Sequence, residues 1–219
     1  MVRNLKLAVA VAAVVSLLAV VTAPASQAAE FHCSVAPCTY TLRQDGSGRQ
    51  GHQVLIIENA AQNESVTITC NEISGDGTVG AMSTKNIAIG SITYQGCKVN
   101  ATVPLEVAMN GCKYSYTSAG ELGITGCEAG KTIEFKYNEC KMTIPEQGPL
   151  MAVTFTTIGA APTREITLSP NLAGSVTADG TAAKCLINPS QNLNFTYTTG
   201  NAILRGETAF GVMSDLWFE

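Results

Sequence analysis

The 219-residue chain carries 13 Lys and Arg against 17 Asp and Glu, a net charge of −4, with eight cysteines and 46% hydrophobic residues. An acidic balance without a basic run excludes the electrostatic footprint of a nucleic-acid binder or an anionic-membrane binder. The length is enough to bury a sizeable core, so the cysteines reinforce a core rather than replace one.

Residues 1–28 read as a signal peptide. Arg3 and Lys6 form a basic start, Leu7 to Val21 is apolar except for Ser16, and Ser26 and Ala28 are the small pair of an A-x-A-like cleavage site. The apolar run is about 15 residues, short of the ~20 that a bilayer span requires. Cleavage after Ala28 is expected, leaving no stable membrane span. Two of the 13 basic residues and no acidic one leave with the signal, so the mature chain has 11 against 17, a net charge of −6. All eight cysteines lie downstream. An even count after a secretory signal reads as a disulfide framework in an oxidising compartment, and places the protein outside the cell or at its surface.

Along the mature chain the periodicity is two. His52 precedes Gln53-Val54-Leu55-Ile56-Ile57, which reads as a strand. Val66, Ile68 and Cys70 alternate with threonines. Ile87 and Ile89 lie on one phase and Ile92 and Tyr94 on the other, which predicts a β-bulge at or near Gly90. Leu105, Val107 and Met109 alternate with Glu106, Ala108 and Asn110, and Cys112, Tyr114 and Tyr116 with Lys113, Ser115 and Thr117. Leu122 and Ile124 are out of phase with Cys127, which predicts a second bulge near Gly126. Ile133, Phe135 and Tyr137 follow, then Cys140, Met142 and Ile144, Ile166 and Leu168, and Leu193, Phe195 and Tyr197. One apolar face opposite one rich in Thr, Lys and Glu is the pattern of antiparallel strands packed on one side. Turn signals such as Asp45-Gly46-Ser47-Gly48, Ser74-Gly75-Asp76-Gly77 and Ser118-Ala119-Gly120 separate the runs. The fold class is all-β, an antiparallel β-sandwich stapled by disulfides. Residues 29–219 form one domain, with two β subdomains split near residue 100 as the alternative. The only helical signal is a weak turn near Val212 to Trp217.

The cysteines are Cys33, Cys38, Cys70, Cys97, Cys112, Cys127, Cys140 and Cys185. Cys97, Cys112 and Cys127 are 15 apart, as expected for successive strands of a meander. If the chain turns at Ala119-Gly120, positions summing to 239 face each other, and Cys112 faces Cys127. The other pairs are taken as Cys33–Cys38, Cys70–Cys97 and Cys140–Cys185, one choice among many connectivities. No C-x-x-C is present, so neither a zinc site nor a redox dithiol is expected, and no cofactor is assigned.

Catalytic signals are equally sparse. His32 and His52 are the only histidines, and no G-x-S-x-G is present. The acids are scattered singly, on the polar phase of strands (Glu106, Glu134, Glu165) or in turns (Asp45, Asp76, Asp179). Tyr114, Tyr116, Phe135, Tyr137, Phe195 and Tyr197 fall on the apolar phase and read as core. The terminal cluster Phe210, Leu216, Trp217 and Phe218 either docks on the domain or forms an exposed tail, and docking is the expectation.

Tyr94-Gln95-Gly96-Cys97, Met109-Asn110-Gly111-Cys112-Lys113-Tyr114, Gly123-Ile124-Thr125-Gly126-Cys127 and Cys140-Lys141-Met142-Thr143-Ile144-Pro145-Glu146-Gln147 together resemble a group of uncharacterised secreted bacterial proteins. These share an Asn-Gly-Cys-x-Tyr element and a later Cys-x-x-Ile-Pro-x-Gln element. The resemblance spans residues 65 to 207, implies export and an all-β fold, and carries no activity. The leading reading is a secreted, non-catalytic binding or cell-surface module with an extracellular ligand or protein partner. A secreted hydrolase with a carboxylate-based site is the second, and a structural envelope or matrix component the third.

Overall fold

The computed structural model describes residues 29–44, 53–151, 153–189, 193–199, 202–208 and 211–219. The signal segment 1–28, the turn at Asp45 to Gly48, His52 and Phe210 lie outside the described residues. The first third contains β1 (Phe31–Cys33), β2 (Cys38–Gln44), β3 (Gln53–Asn59), β4 (Glu64–Cys70) and β5 (Glu72–Val79). A short β6 (Ser83–Thr84) leads into β7 (Asn86–Gln95), β8 (Lys98–Val99), β9 (Val103–Pro104) and β10 (Glu106–Ala108). Next come β11 (Lys113–Thr117), β12 (Glu121–Thr125), β13 (Ile133–Tyr137), β14 (Cys140–Ile144), β15 (Gln147–Met151) and β16 (Val153–Ile158). The last third holds β17 (Glu165–Asp179), a one-turn helix α1 (Ala182–Cys185), β18 (Leu193–Thr199), β19 (Ala202–Glu207), β20 (Met213–Ser214) and β21 (Leu216–Phe218). Every described ladder is antiparallel, as the alternation requires.

The alternation tells which face each residue takes, and burial follows it. In β3, Gln53, Leu55, Ile57 and Asn59 are buried while Val54, Ile56 and Glu58 are not. Several neighbours in sequence act as halves of one long strand. Both β18 and β19 run antiparallel to β17, β3 and β2 follow beside them, and then β4 and β5. Strands from either side of residue 100 therefore pair directly, β18 with β3 and β11 with β7.

The sheets are joined to one another. Pairing runs β17–β19–β2–β5–β7–β11–β12–β15, and β16, which follows β15, pairs β17 again. The closure is visible at Val153. Its N–H donates to Gly120 O at 2.9 Å, while Pro170 of β17, with no N–H to offer, lies opposite it on the other side. The circuit pairs its own strand edges, which is how barrels remove the edges that template aggregation.

The bulge expected near Gly90 is present. Ser74 faces Thr93 but Asp76 faces Gly90, so β7 holds one extra residue there, and Ser91 takes the left-handed φ of 47°. The bulge expected near Gly126 is absent. The β11–β12 ladder keeps one register from Lys113↔Thr125 to Tyr116↔Leu122, and the irregularity on the other side of β12 falls on β15, where Leu122 faces Leu150 and Ile124 faces Gln147. Gly126 lies past the end of β12 with φ +68° and turns the chain. The facing positions sum to 238 rather than 239, because the loop has three residues, 118–120, and ends on Gly120 at φ +83°. Cys112 thus faces position 126, and the turn at Gly126 supplies the missing step to Cys127.

The structure joins Cys33 to Cys38, Cys70 to Cys97, Cys112 to Cys127 and Cys140 to Cys185. Seven of the eight are buried; Cys127 is partly covered. The last bridge ties α1 to β14, and Tyr137 Oη of β13 also donates to Cys185 O.

The expected helical turn at the C-terminus is instead strand. β20 pairs β19 and β21 pairs β1, with Phe31↔Phe218, His32↔Trp217 and Cys33↔Leu216. Pairing satisfies backbone groups that an isolated turn of helix would leave open. The segment is docked, as expected. Leu216 is 1% exposed, and the rings of Phe31, Phe155 and Phe218 meet with centroids 4.9–5.1 Å apart. Arg164 lies over the Trp217 ring at 3.9 Å, and His32 stacks on it at 5.2 Å. Arg164 also holds Asp215 through two side-chain nitrogens and its backbone N–H, at 2.7–3.1 Å.

Tyr40 shows how the ring is packed inside. Its Cα lies opposite Gly77 of β5. With no Cβ at Gly77, the phenol crosses that strand and reaches Ala88 of β7, donating to its O at 2.6 Å and accepting from its N–H at 3.0 Å. Tyr40→Phe removes both hydrogen bonds of a buried hydroxyl, at about 0.5–1.5 kcal/mol each, and is expected to cost about 1–3 kcal/mol. Chemical denaturation measures it, and an unchanged midpoint refutes the bond's role.

Candidate functional site

Between the faces of β3, β4, β17 and β18 and those of β11, β12 and β15 lies a cavity of about 40 Å³. β13 and β14 contribute Ile133, Phe135 and Ile144 to it. Its walls are apolar except in one place, where three tyrosines and a glutamine converge. Tyr114 Oη lies 2.7 Å from Tyr94 Oη, Tyr197 Oη donates to Gln53 Oε1 at 2.5 Å, and Tyr94 and Tyr197 influence each other's ionisation. Gln53 Nε2 is buried without an acceptor.

The strands set these positions. Gln53 pairs with Thr199, and Tyr197 with Leu55 on the same pair of strands, so Gln53 and Tyr197 share a face two residues apart. Tyr114 follows from the alternation in β11. Tyr94 depends on the bulge, since without the extra residue at Ser91 its side chain would leave the inner face.

Burial pushes the Tyr114 phenol up to about 12 and those of Tyr94 and Tyr197 well above their ordinary range. All three hydroxyls are neutral at physiological pH and act as hydrogen-bonding groups. No carboxylate, lysine, arginine or histidine lines this cavity. The arrangement can orient a neutral polar group but has no acid or base titrating near neutral pH.

Two carboxylates do share a groove with a tyrosine elsewhere. Glu106, Glu134, Lys136 and Tyr94 line an open groove of about 410 Å³ beside β10. Glu134 is held by Lys136 at 2.6 Å and Lys141 at 2.7 Å, and hydrogen bonds to these two lysines lower its carboxyl to about 2. A glycosidase acid needs the opposite shift. Glu165 is likewise paired, with Arg205 at 2.5 Å. Among the described residues no three His, Cys, Asp or Glu side chains gather where a metal ion would sit, and no helix is long and apolar enough to cross a membrane.

Sequence reasoning placed Tyr114 and Tyr197 on the apolar phase as core residues; the structure brings them together as members of one polar cluster. It passed over Gln53. The signal was present, because Gln53 shares the phase of Leu55 and Ile57, and a polar side chain on a buried phase needs a partner. No protein family, curated protein or solved structure matches the chain.

Proposed function

We propose that the chain is an exported, disulfide-held binding module of the extracellular space or cell surface, without catalytic activity. The observation that carries this reading is the neutral tyrosine–glutamine cluster set in an apolar cavity, the usual composition of a binding site. General acid–base catalysis uses groups whose pKa lies near the working pH, and these phenols lie far above it. Four disulfides favour an oxidising compartment. The resemblance to secreted bacterial proteins points the same way. A structural component that assembles edge to edge is less well supported, because the circuit strands pair among themselves.

Expression of the full chain in a secreting host tests the reading. The protein is expected outside the cell, without residues 1–28, with all eight thiols blocked to alkylation, and binding saturably to cell-surface or culture-medium components. Retention in the cytoplasm as a reduced chain overturns export. Turnover of a glycan, ester or peptide panel that disappears in Glu134→Gln overturns the non-catalytic reading in favour of the hydrolase.

A further inference from the structure

The unpartnered amide of Gln53 points to what the cavity takes. Gln53 is 2% exposed, its Oε1 is occupied by Tyr197, and its Nε2 has no acceptor. Buried amide donors are nearly always paired in native structures, so an oxygen that belongs to something else completes this one. A charged oxygen is disfavoured, because no cation lines the cavity and an unpaired ion is costly in an apolar environment. The volume of about 40 Å³ is several times the ~10–15 Å³ that one water needs and far below the ~300 Å³ of a pocket for a drug-sized ligand. It suits a short chain or the end of a longer one.

The cavity also has a thin wall. Tyr94 lines both the cavity and the open groove beside β10. Cys70 lines the cavity, and Cys97, its disulfide partner, lines the groove. The phenol of Tyr94 and this bridge stand between the two spaces.

We propose that the cavity binds a small neutral amphiphile, its hydroxyl or carbonyl oxygen accepting from Gln53 Nε2 and its short apolar part against Leu55, Phe135 and Leu172, with Tyr94 at the entrance from the groove. This rests on the binding-module reading and names the ligand class of that site.

Titration of the secreted protein with 1-butanol, butyrate and pentane tests it, read by the NMR resonances of the Leu55 and Leu172 methyl groups that line the cavity and, in the parent protein, of the Gln53 side-chain amide. Butanol is expected to shift them saturably, butyrate to bind at least tenfold more weakly, and Gln53→Met to lose about tenfold for butanol with pentane unchanged. No saturable shift, leaving an ordered water as the only occupant, overturns the proposal, as does butyrate binding equal to butanol. The comparison of butanol with butyrate is made on the unmodified protein and holds even where Gln53→Met does not fold. Saturable cell-surface binding that persists while butanol fails sinks the ligand class and leaves the module reading standing. Butanol binding without any surface or medium partner does the reverse.

Discussion

Raising the pH from 10 towards 12 is expected to unfold the protein in one cooperative step, with its six tyrosines ionising together. Burial holds every one of these phenols above its ordinary value. Tyr40, Tyr114 and Tyr137 are each pushed up to about 12. A group whose folded pKa is raised contributes stability that is complete below its unfolded value, here 10, and is lost as the pH rises towards the folded value. At about 1.4 kcal/mol per pH unit, each of these three contributes about 3 kcal/mol. Together they are comparable to the whole stability of an ordinary domain, about 5–15 kcal/mol. Tyrosinate absorbance and far-ultraviolet circular dichroism, recorded after a rapid pH jump, should change at the same pH. Tyrosinate appearing gradually from pH 10 while the strand signal persists would show that the phenols are accessible to solvent.

Truncation after Ser214 should be nearly as damaging. It removes Leu216, buried under the sheet formed by β1, β6 and β21, and Phe218 from its contacts with Phe31 and Phe155. Large-to-small changes at such sites cost about 2–5 kcal/mol each. It also strips Arg164 of Asp215, leaving a partly buried guanidinium without its partner. A loss of more than about 5 kcal/mol is expected, and the truncated chain should be digested rapidly by a non-specific protease. A melting temperature within a few degrees of the full chain would refute the docked reading. The milder Asp215→Asn separates the ion pair from the packing. The Arg164 side chain lowers the Asp215 pKa, so this carboxylate stabilises the fold above its unfolded value of 3.8, and the contribution is lost as the pH falls through its folded value. The variant should therefore differ from the parent at neutral pH and converge with it in strong acid.

Alternation in the sequence identified the inner and outer faces correctly for β4, β11, β13, β14 and β18, because a half-buried strand must repeat every two residues. The same logic located the bulge at Gly90, since the apolar phase changes there. It could not identify partners. Periodicity fixes the face of a strand and says nothing about its neighbour, so the β17–β19 and β2–β19 ladders and the closure at Val153 were not legible. One uncounted loop residue at 118–120 displaced the β11–β12 register by one position. Strands of two or three residues, such as β6, β8 and β21, are too short to show a period. The site followed the same division: its tyrosines were visible as inward-facing residues, whereas their meeting with Gln53 depends on pairings between distant segments.

Those pairings have a kinetic consequence. β2 is held by β19, with Thr39 bonded to Glu207 168 positions later, and β3 is held by β18. Closing such distant contacts carries a loop-entropy cost that is met before the contacts form, and proteins dominated by them fold slowly. A chain emerging from its N-terminus presents β2 to β5 long before β17 to β19 exist to complete them. The edges of β2 and β3 therefore stay open until β19 and β18 arrive to pair with them, and slow completion of the fold is the expected consequence.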